Sequence, residues 1–268
     1  MRVAAVQLSS QSSLSHNLEH VTHWVGLAAR SGAELVVLPE NFAYFGEEAE
    51  KCALAESIED GTGPIVSTLV SLARTHGVAI VGGGMPEKSA HPDRPYNTSV
   101  FVGRDGQVLG KYRKIHLFDV ALADGTELRE SRATLAGDEV SVTPFGDRRV
   151  GMTVCYDLRF PELYRKLVDA GAELVTVPAA FTLTTGKDHW HVLLRARAIE
   201  HQVFVVAAAQ HGTHPKGRRT YGKSLIADPW GDVIAQAGEG PGLAMATLDF
   251  DYLARVRREL PCLTHRRL

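Results

Sequence analysis

Apolar residues in this chain gather in short, nearly unbroken runs rather than in strict alternation. Leu35 to Leu38, Val78 to Val81 and Val203 to Ala209 are the clearest of them. A strand with one wet face alternates apolar and polar residues, whereas a strand covered on both faces reads as a continuous apolar run. Between the runs lie longer segments with helical spacing of apolar positions. The pattern predicts strands over 2–8, 34–38, 78–82, 98–103 and 107–111, with helices over 16–31 and 62–76. Further on it predicts strands over 148–154, 173–177, 203–209, 223–228 and 232–236, with helices over 161–171 and 188–201. Buried strands alternating with helices, and hairpins closing each half, define an α/β fold.

The two halves repeat one another. Gly32 to Pro39 (GAELVVLP) returns as Gly171 to Pro178 (GAELVTVP), and Phe42 and Phe181 keep the same offset. His76 to Val81 answers His201 to Val206, Asp105 to Leu109 answers Trp230 to Ile234, and Val3 to Leu8 has its counterpart in Val150 to Cys155. Matches in the same order imply an internal pseudo-twofold duplication. Two such halves can cover each other sheet to sheet, giving a four-layer α-β-β-α sandwich. The competing architecture, a doubly wound nucleotide-binding fold, requires a glycine-rich phosphate turn after the first strand. Gln7-Leu8-Ser9-Ser10 stands there instead. Gly82-Gly83-Gly84 runs into Met85-Pro86 rather than opening a helix, and reads as small-residue packing beside a site.

Composition adds mainly exclusions. The 268 residues (29.1 kDa) are 44% hydrophobic and 22% charged, an ordinary globular balance. A net charge of −2 gives no reason to expect a nucleic-acid partner. No apolar run approaches the roughly 18 residues of a membrane span, and MRVAAVQLSS reads as a first strand rather than a signal peptide. The expectation is one domain over 1–268 in the cytoplasm, with no membrane partner. Three cysteines without a CxxC pair fit a reducing compartment. The twelve histidines include no HExxH, and His189 and His191 lie two apart on a helix, so no metal site is expected.

In α/β sheets chemistry collects beyond the carboxyl ends of strands. Reading those ends in turn finds Glu40 after 34–38, Lys114 after 107–111 and Cys155 after 148–154, at what look like equivalent ends of neighbouring strands. Each has a plain alternative: Glu40 as a solvated loop carboxylate, Lys114 as part of a wet basic face with Lys111 and Arg113, Cys155 as a small core residue. The polar turn after Cys155, leading to Pro161 at a helix start, favours an accessible thiol.

The segments LPENF, KYRKIHLFD and GMTVCYDLRFPELYR resemble the three signatures of the nitrilase superfamily, the carbon–nitrogen hydrolases. The resemblance runs from Val3 to the C-terminus and implies a single carbon–nitrogen hydrolase domain with the α-β-β-α fold. It also implies assembly through the helix layer into homodimers or higher homo-oligomers. It makes Cys155 the nucleophile, Glu40 the general base, and Lys114, with the backbone N–H of Tyr156, the oxyanion donors. A second glutamate is implied at Glu130, in Leu128-Arg129-Glu130-Ser131, holding Lys114 and positioning the amide; an exposed loop carboxylate is its alternative. Since side chains and backbone supply every group, no cofactor is expected. Cys52 and Cys262 match no catalytic motif.

Nitrile hydrolysis, carbamoyl removal and amide hydrolysis all use this triad. The stretches 178–210, 221–243 and 260–267 are most similar to the deaminated glutathione amidase branch, whereas Thr182 to Gly186 is at least as similar to the neighbouring ω-amidases. Both would leave an α-ketoglutaryl group on Cys155, with Cys-Gly departing in one case and ammonia in the other. The substrate expected is thus a small amide with an acyl carboxylate. Arg159 is the candidate cation for that carboxylate, its alternative being an ion pair with Glu162. Phe181, Thr182 and Thr185 are further candidate contacts. The basic loop His211 to Arg219 offers Lys216, Arg218 and Arg219 to a dipeptide carboxylate, or else is a solvated charged loop. A catalytically silent binding or scaffold protein is the reading from another class.

Overall fold

In the computed structural model, which describes residues 1–121 and 127–267, the apolar runs are the central strands of two facing sheets. The first half supplies β1 (Arg2–Gln7), β2 (Leu35–Val37), β3 (Ala79–Glu87), β4 (Tyr96–Val102) and β5 (Val108–Arg113), followed by a small hairpin of β6 (Asp119–Ala121) and β7 (Glu127–Arg129). β8 (Val142–Phe145) closes the first half, and the second supplies β9 (Arg148–Met152), β10 (Leu174–Ala179) and β11 (Phe204–Ala209), a hairpin of β12 (His211–Thr213) and β13 (Arg219–Tyr221), then β14 (Leu225–Ala227), β15 (Val233–Gln236) and β16 (Gly242–Thr247). Helices α1 (Leu14–Arg30) and α2 (Pro64–His76) belong to the first half. Helices α3 (Pro161–Asp169), α4 (Leu183–His201), α5 (Phe250–Glu259) and the single turn α6 (Cys262–His265) belong to the second.

The strand orders are β16-β1-β2-β3-β4-β5 and β15-β14-β11-β10-β9-β8. The sixth strand of each repeat lies in the sheet of the other. β8, which ends the first half, pairs antiparallel with β9, and β16, which ends the second, pairs antiparallel with β1 from Arg2↔Thr247 to Gln7↔Gly242. The duplication is therefore closed by a reciprocal strand exchange. Neither β8 nor β16 is foreseen by apolar patterning. Both are edge strands of mixed burial, and β8 carries Pro144, which an edge tolerates because no ladder hydrogen bond is needed there.

Successive residues of the central strands face opposite cores. Val3 and Ala5 of β1 point into the layer between the sheets, with Val37, Val81, Met152 and Val177; Ala4 and Val6 face α1 and α2, packing with Val21, Val25 and Leu69. Trp190 and Leu194 of α4 cover the outer face of the second sheet. The layers run α-β-β-α, and a strand buried on both faces has no polar side to display. The predicted helix over 188–201 starts earlier, at Leu183, because Thr182 caps it: its Oγ1 accepts the N–H of Thr185 at 3.4 Å. The predicted strand over 148–154 stops at Met152, freeing Thr153 and Val154 for the turn that follows. No described helix is long and apolar enough to cross a membrane.

Candidate active site

Glu40, Lys114 and Cys155 meet, but not as side chains on adjacent strands of one sheet. β2 and β5 are separated by β3 and β4, and Cys155 follows β9 in the other sheet. Face-to-face packing closes the gap. Lys114 Nζ lies 3.0 Å from Glu40 Oε1 and 2.8 Å from Glu130 Oε2, so one ammonium is shared by two carboxylates. Glu130 Oε2 also accepts the N–H of Phe118 at 2.7 Å, which draws the 3₁₀ turn Glu130–Arg132 onto the site. Glu40 Oε2 accepts the N–H of Ala180 at 3.1 Å, and the Cys155 thiol lies near enough to feel the Glu40 charge. Lys114 is 1% exposed and Glu40 4%, so solvent does little to screen this cluster.

The thiol is presented by a strained turn. Cys155 opens the 3₁₀ segment Cys155–Arg159 with φ 50°, a left-handed conformation that costs a non-glycine residue about 1–3 kcal/mol. Asp157 holds the turn. Its buried carboxylate accepts the N–H of Val154 at 2.8 Å, the hydroxyl of Tyr112 at 2.8 Å and the N–H of His116 at 3.2 Å, with His116 Nδ1 at 2.7 Å. Tyr112 and His116 flank Lys114 in sequence, so Asp157 ties the lysine strand to the cysteine turn. His116 stacks on Phe160 with 3.7 Å between ring centroids, bracing the same turn. The N–H of Tyr156, in the first turn of the segment, takes no backbone acceptor among the described residues.

The electrostatics fix the resting protonation states. Burial favours the neutral form of Glu40, but the Lys114 ammonium outweighs it and holds the carboxyl below its usual range. Burial opposes charge on Lys114 as well, and the Glu130 and Glu40 carboxylates overcome that, keeping it protonated. Cys155 moves the other way: burial and the adjacent Glu40 charge push its thiol well up, with Lys114 opposing. The ground state is a thiol facing an ionised carboxylate and an ammonium.

These groups line a cavity of about 830 Å³, within the roughly 300–1,000 Å³ of small-molecule sites. Every sequence-predicted site residue borders it. Arg159 places Nη1 3.1 Å from His189 Nδ1, with its guanidinium 5.1 Å from the Phe181 ring; among the described residues it makes no ion pair with Glu162. Thr182 and Thr185 share a hydroxyl–hydroxyl bond of 2.8 Å at the start of α4, so helix capping occupies them. The basic loop borders the cavity, yet two of its cations are already neutralised. Lys216 pairs with Glu47 at 2.5 Å and Arg218 with Glu48 at 2.9 Å, while Arg219 is exposed and has no ionic partner among the described residues. Patterning did not find Asp157, Asn97 or the Glu48–Lys51 pair that borders the cavity at 2.8 Å. Asp157 lies within the cysteine motif, but nothing in Asn97-Thr98-Ser99-Val100, a polar run leading into an apolar one, signals an active-site amide. Among the described residues no group of three or more His, Cys, Asp or Glu is placed to hold a metal ion.

A buried Glu, Lys and Cys at strand ends of an α-β-β-α sandwich define an amide-hydrolysing class of enzyme. The carbon–nitrogen hydrolase family matches residues 2–258, and the chain belongs to that family, as an amidohydrolase of the nitrilase superfamily. More particularly, it is 46% identical over 266 residues to the deaminated glutathione amidase of a Synechocystis species, covering 98% of this chain and 97% of that one. Among solved structures, the NitFhit protein of C. elegans superposes with a TM-score of 0.92 at 36% identity, covering 99% of this chain and 65% of that one. Saccharomyces cerevisiae Nit3, a nitrilase-superfamily member, gives a TM-score of 0.88 at 32% identity over 97% and 94% of the two chains.

Proposed function

We propose that the protein hydrolyses deaminated glutathione, cleaving the amide between an α-ketoglutaryl group and Cys-Gly through a thioester on Cys155. One feature of the cavity carries the substrate reading. Its lining cations fall into two classes of exposure: half-buried Arg159, four residues from Cys155 at the end of the same turn, and exposed Arg132 and Arg219, with Arg129 paired to Glu127. A substrate with a carboxylate at each end fits that distribution. An amide losing only ammonia would leave the exposed cations unused.

In this reading Glu40 takes the Sγ proton as sulfur attacks the amide carbon. The carboxylate is held ionised and the thiol protonated, so the proton moves as the C–S bond forms rather than beforehand. Negative charge grows on the carbonyl oxygen, where Lys114 Nζ and the N–H of Tyr156 stabilise it. Collapse breaks the C–N bond, and Glu40 returns the proton to the departing amine of Cys-Gly. Water, deprotonated by Glu40, then attacks the thioester; Cys155 leaves with its proton, and α-ketoglutarate is released. Glu130 holds Lys114 between the two carboxylates throughout.

The second reading, an ω-amidase acting on α-ketoglutaramate, is favoured by the sequence of the Thr182 to Gly186 segment and by the acyl group the two substrates share. A comparison of kcat/KM for deaminated glutathione and α-ketoglutaramate tests the proposal. A clear preference for α-ketoglutaramate overturns it in favour of the ω-amidase. Loss of both activities in a folded Glu40→Gln protein is expected, and full activity there removes the mechanism. Self-association as a homodimer is part of the same proposal. Exposed Val192 and Ile199 on α4 and Trp230 beside them form an apolar face that a second copy would cover, and sedimentation at micromolar concentration tests it. A reducing, cytoplasmic setting suits its three free thiols.

A further inference from the structure

Two carboxylates share the Lys114 ammonium, and a third side chain reaches both. Asn97, on β4, donates through Nδ2 to Glu40 Oε1 at 2.9 Å and to Glu130 Oε1 at 3.1 Å. Its backbone carbonyl accepts the N–H of Lys114 at 2.8 Å. Facing two carboxylate acceptors, the side chain must turn its NH₂ rather than its oxygen toward them, so the chemistry itself decides the amide orientation. Asn97 is 7% exposed and stands behind the residues that line the cavity, so its contacts are to the two carboxylates. The chain makes room for it. Gly84 has φ +62°, and a Cβ there would lie 2.7 Å from Glu40 Cγ and 2.9 Å from Asn97 Oδ1.

We propose that Asn97 is a positioning residue for amide hydrolysis: its amide bridges Glu40 and Glu130 and holds both carboxylates aimed at the shared Lys114 ammonium. Two carboxylates on one small site repel, and such pairs ordinarily resolve the conflict by one of them taking a proton. A protonated Glu40 cannot act as base. The amide is suited to the bridge because it supplies two N–H donors without adding a charge. Asp at this position would have the same shape but would place a third carboxylate in the cluster.

The groups facing Glu40 from the surrounding elements are Lys114 after β5, Cys155 in the 3₁₀ turn, Lys51 from the 3₁₀ turn Glu48–Lys51, the N–H of Ala180 after β10, and Asn97 with Glu130 beyond it. Removing Asn97 subtracts a donor to the charged form of Glu40 and leaves the cations in place. The acid limb of kcat/KM should therefore move to higher pH.

The inference rests on Glu40 being the base, and the test separates the two. The pH profile of kcat/KM is measured for deaminated glutathione with the full chain carrying Asn97→Ala or Asn97→Asp, with Glu40→Gln as control. Both Asn97 variants should raise the acid limb, Asp more than Ala, and should lower kcat/KM at neutral pH by about ten- to a hundredfold, the size of one charge-assisted hydrogen bond. KM should change by less than about threefold, because the loss falls on the transition state. Asp is nearly isosteric, so it keeps the test open if the Ala variant does not fold. A role in shape alone predicts that the Asp variant keeps the native acid limb, and that result overturns the proposal. An active Glu40→Gln protein refutes the base assignment itself, whereas an inactive one beside native limbs in the Asn97 variants refutes only the bridge.

Discussion

Arg219→Ala tests the substrate assignment most directly. Of the three cations offered by the β12–β13 hairpin, Lys216 and Arg218 are held by Glu47 and Glu48, and Arg219, which opens β13, has no ionic partner among the described residues. A charge-assisted hydrogen bond from Arg219 to the glycine carboxylate of Cys-Gly is worth roughly 1.5–3 kcal/mol, and each 1.36 kcal/mol is tenfold in rate. Arg219→Ala should lower kcat/KM for deaminated glutathione by about ten- to a hundredfold and leave α-ketoglutaramate within about threefold. Lys216→Ala serves as the internal comparison. Lys216 and Glu47 keep 64% and 42% side-chain exposure, and a pair that wet is worth at most about 1 kcal/mol, so both substrates should be nearly unaffected. Arg218→Ala should instead reduce both activities in proportion, because Arg218 helps Lys51 hold Glu48 ionised beside the cavity, at about 2. The assay is steady-state kcat/KM for the two substrates, repeated at higher salt to expose screening. Equal losses on both substrates in Arg219→Ala would falsify the assignment of Arg219 to the leaving group. No loss on either makes the loop a solvated surface and moves the ω-amidase reading ahead.

Cys155→Ala should abolish turnover yet unfold at the native denaturant midpoint, whereas Cys52→Ala and Cys262→Ala should stay active; turnover in the first variant defeats the thioester mechanism. Full activity should survive exhaustive chelation, and recovery that depends on added metal contradicts a mechanism made of side chains and backbone. Asp157→Ala orphans the Val154 N–H and the Tyr112 hydroxyl in a dry site. At about 1–3 kcal/mol per buried group it should cost about 2–6 kcal/mol in chemical denaturation; an unchanged midpoint removes Asp157 as the anchor of the cysteine turn. His201 is 7% exposed, and burial with the nearby Arg197 and Arg266 charges holds its ring at about 4 against 6.5 unfolded. The unfolded chain therefore binds the proton more readily. The stability from a neutral His201 is complete above about pH 6.5 and drains as pH falls toward 4, by up to about 3 kcal/mol. His201→Gln should flatten that part of the stability profile, and an equally steep profile in the variant disproves it.

Local order was legible in the residues themselves. Continuous apolar runs mark strands with two dry faces, because burial on both sides leaves no polar position to reveal. The repeated GAELV-x-x-P segments expose the duplication, and Glu40, Lys114 and Cys155 stand out as polar groups at the ends of such strands. Long-range closure was not legible. Nothing in GLAMAT says that β16 lies beside β1 across the 234 residues between Gln7 and Gly242, since an edge strand carries a weak burial signal and its partner is chosen by which sheet edge remains open. For the same reason the triad looked like neighbours on one sheet when it is assembled across two. Charge partners also escape patterning: Lys216, Arg218 and Arg219 are alike in sequence, and the approach of Glu47 and Glu48 from a distant segment separates two neutralised cations from Arg219, which has no ionic partner among the described residues. Asn97 is the extreme case, an amide in a buried strand whose meaning depends on two carboxylates 57 and 33 residues away. Apolar burial is written locally, residue by residue, whereas a hydrogen bond or an ion pair exists only once tertiary packing has brought both partners within 3 Å.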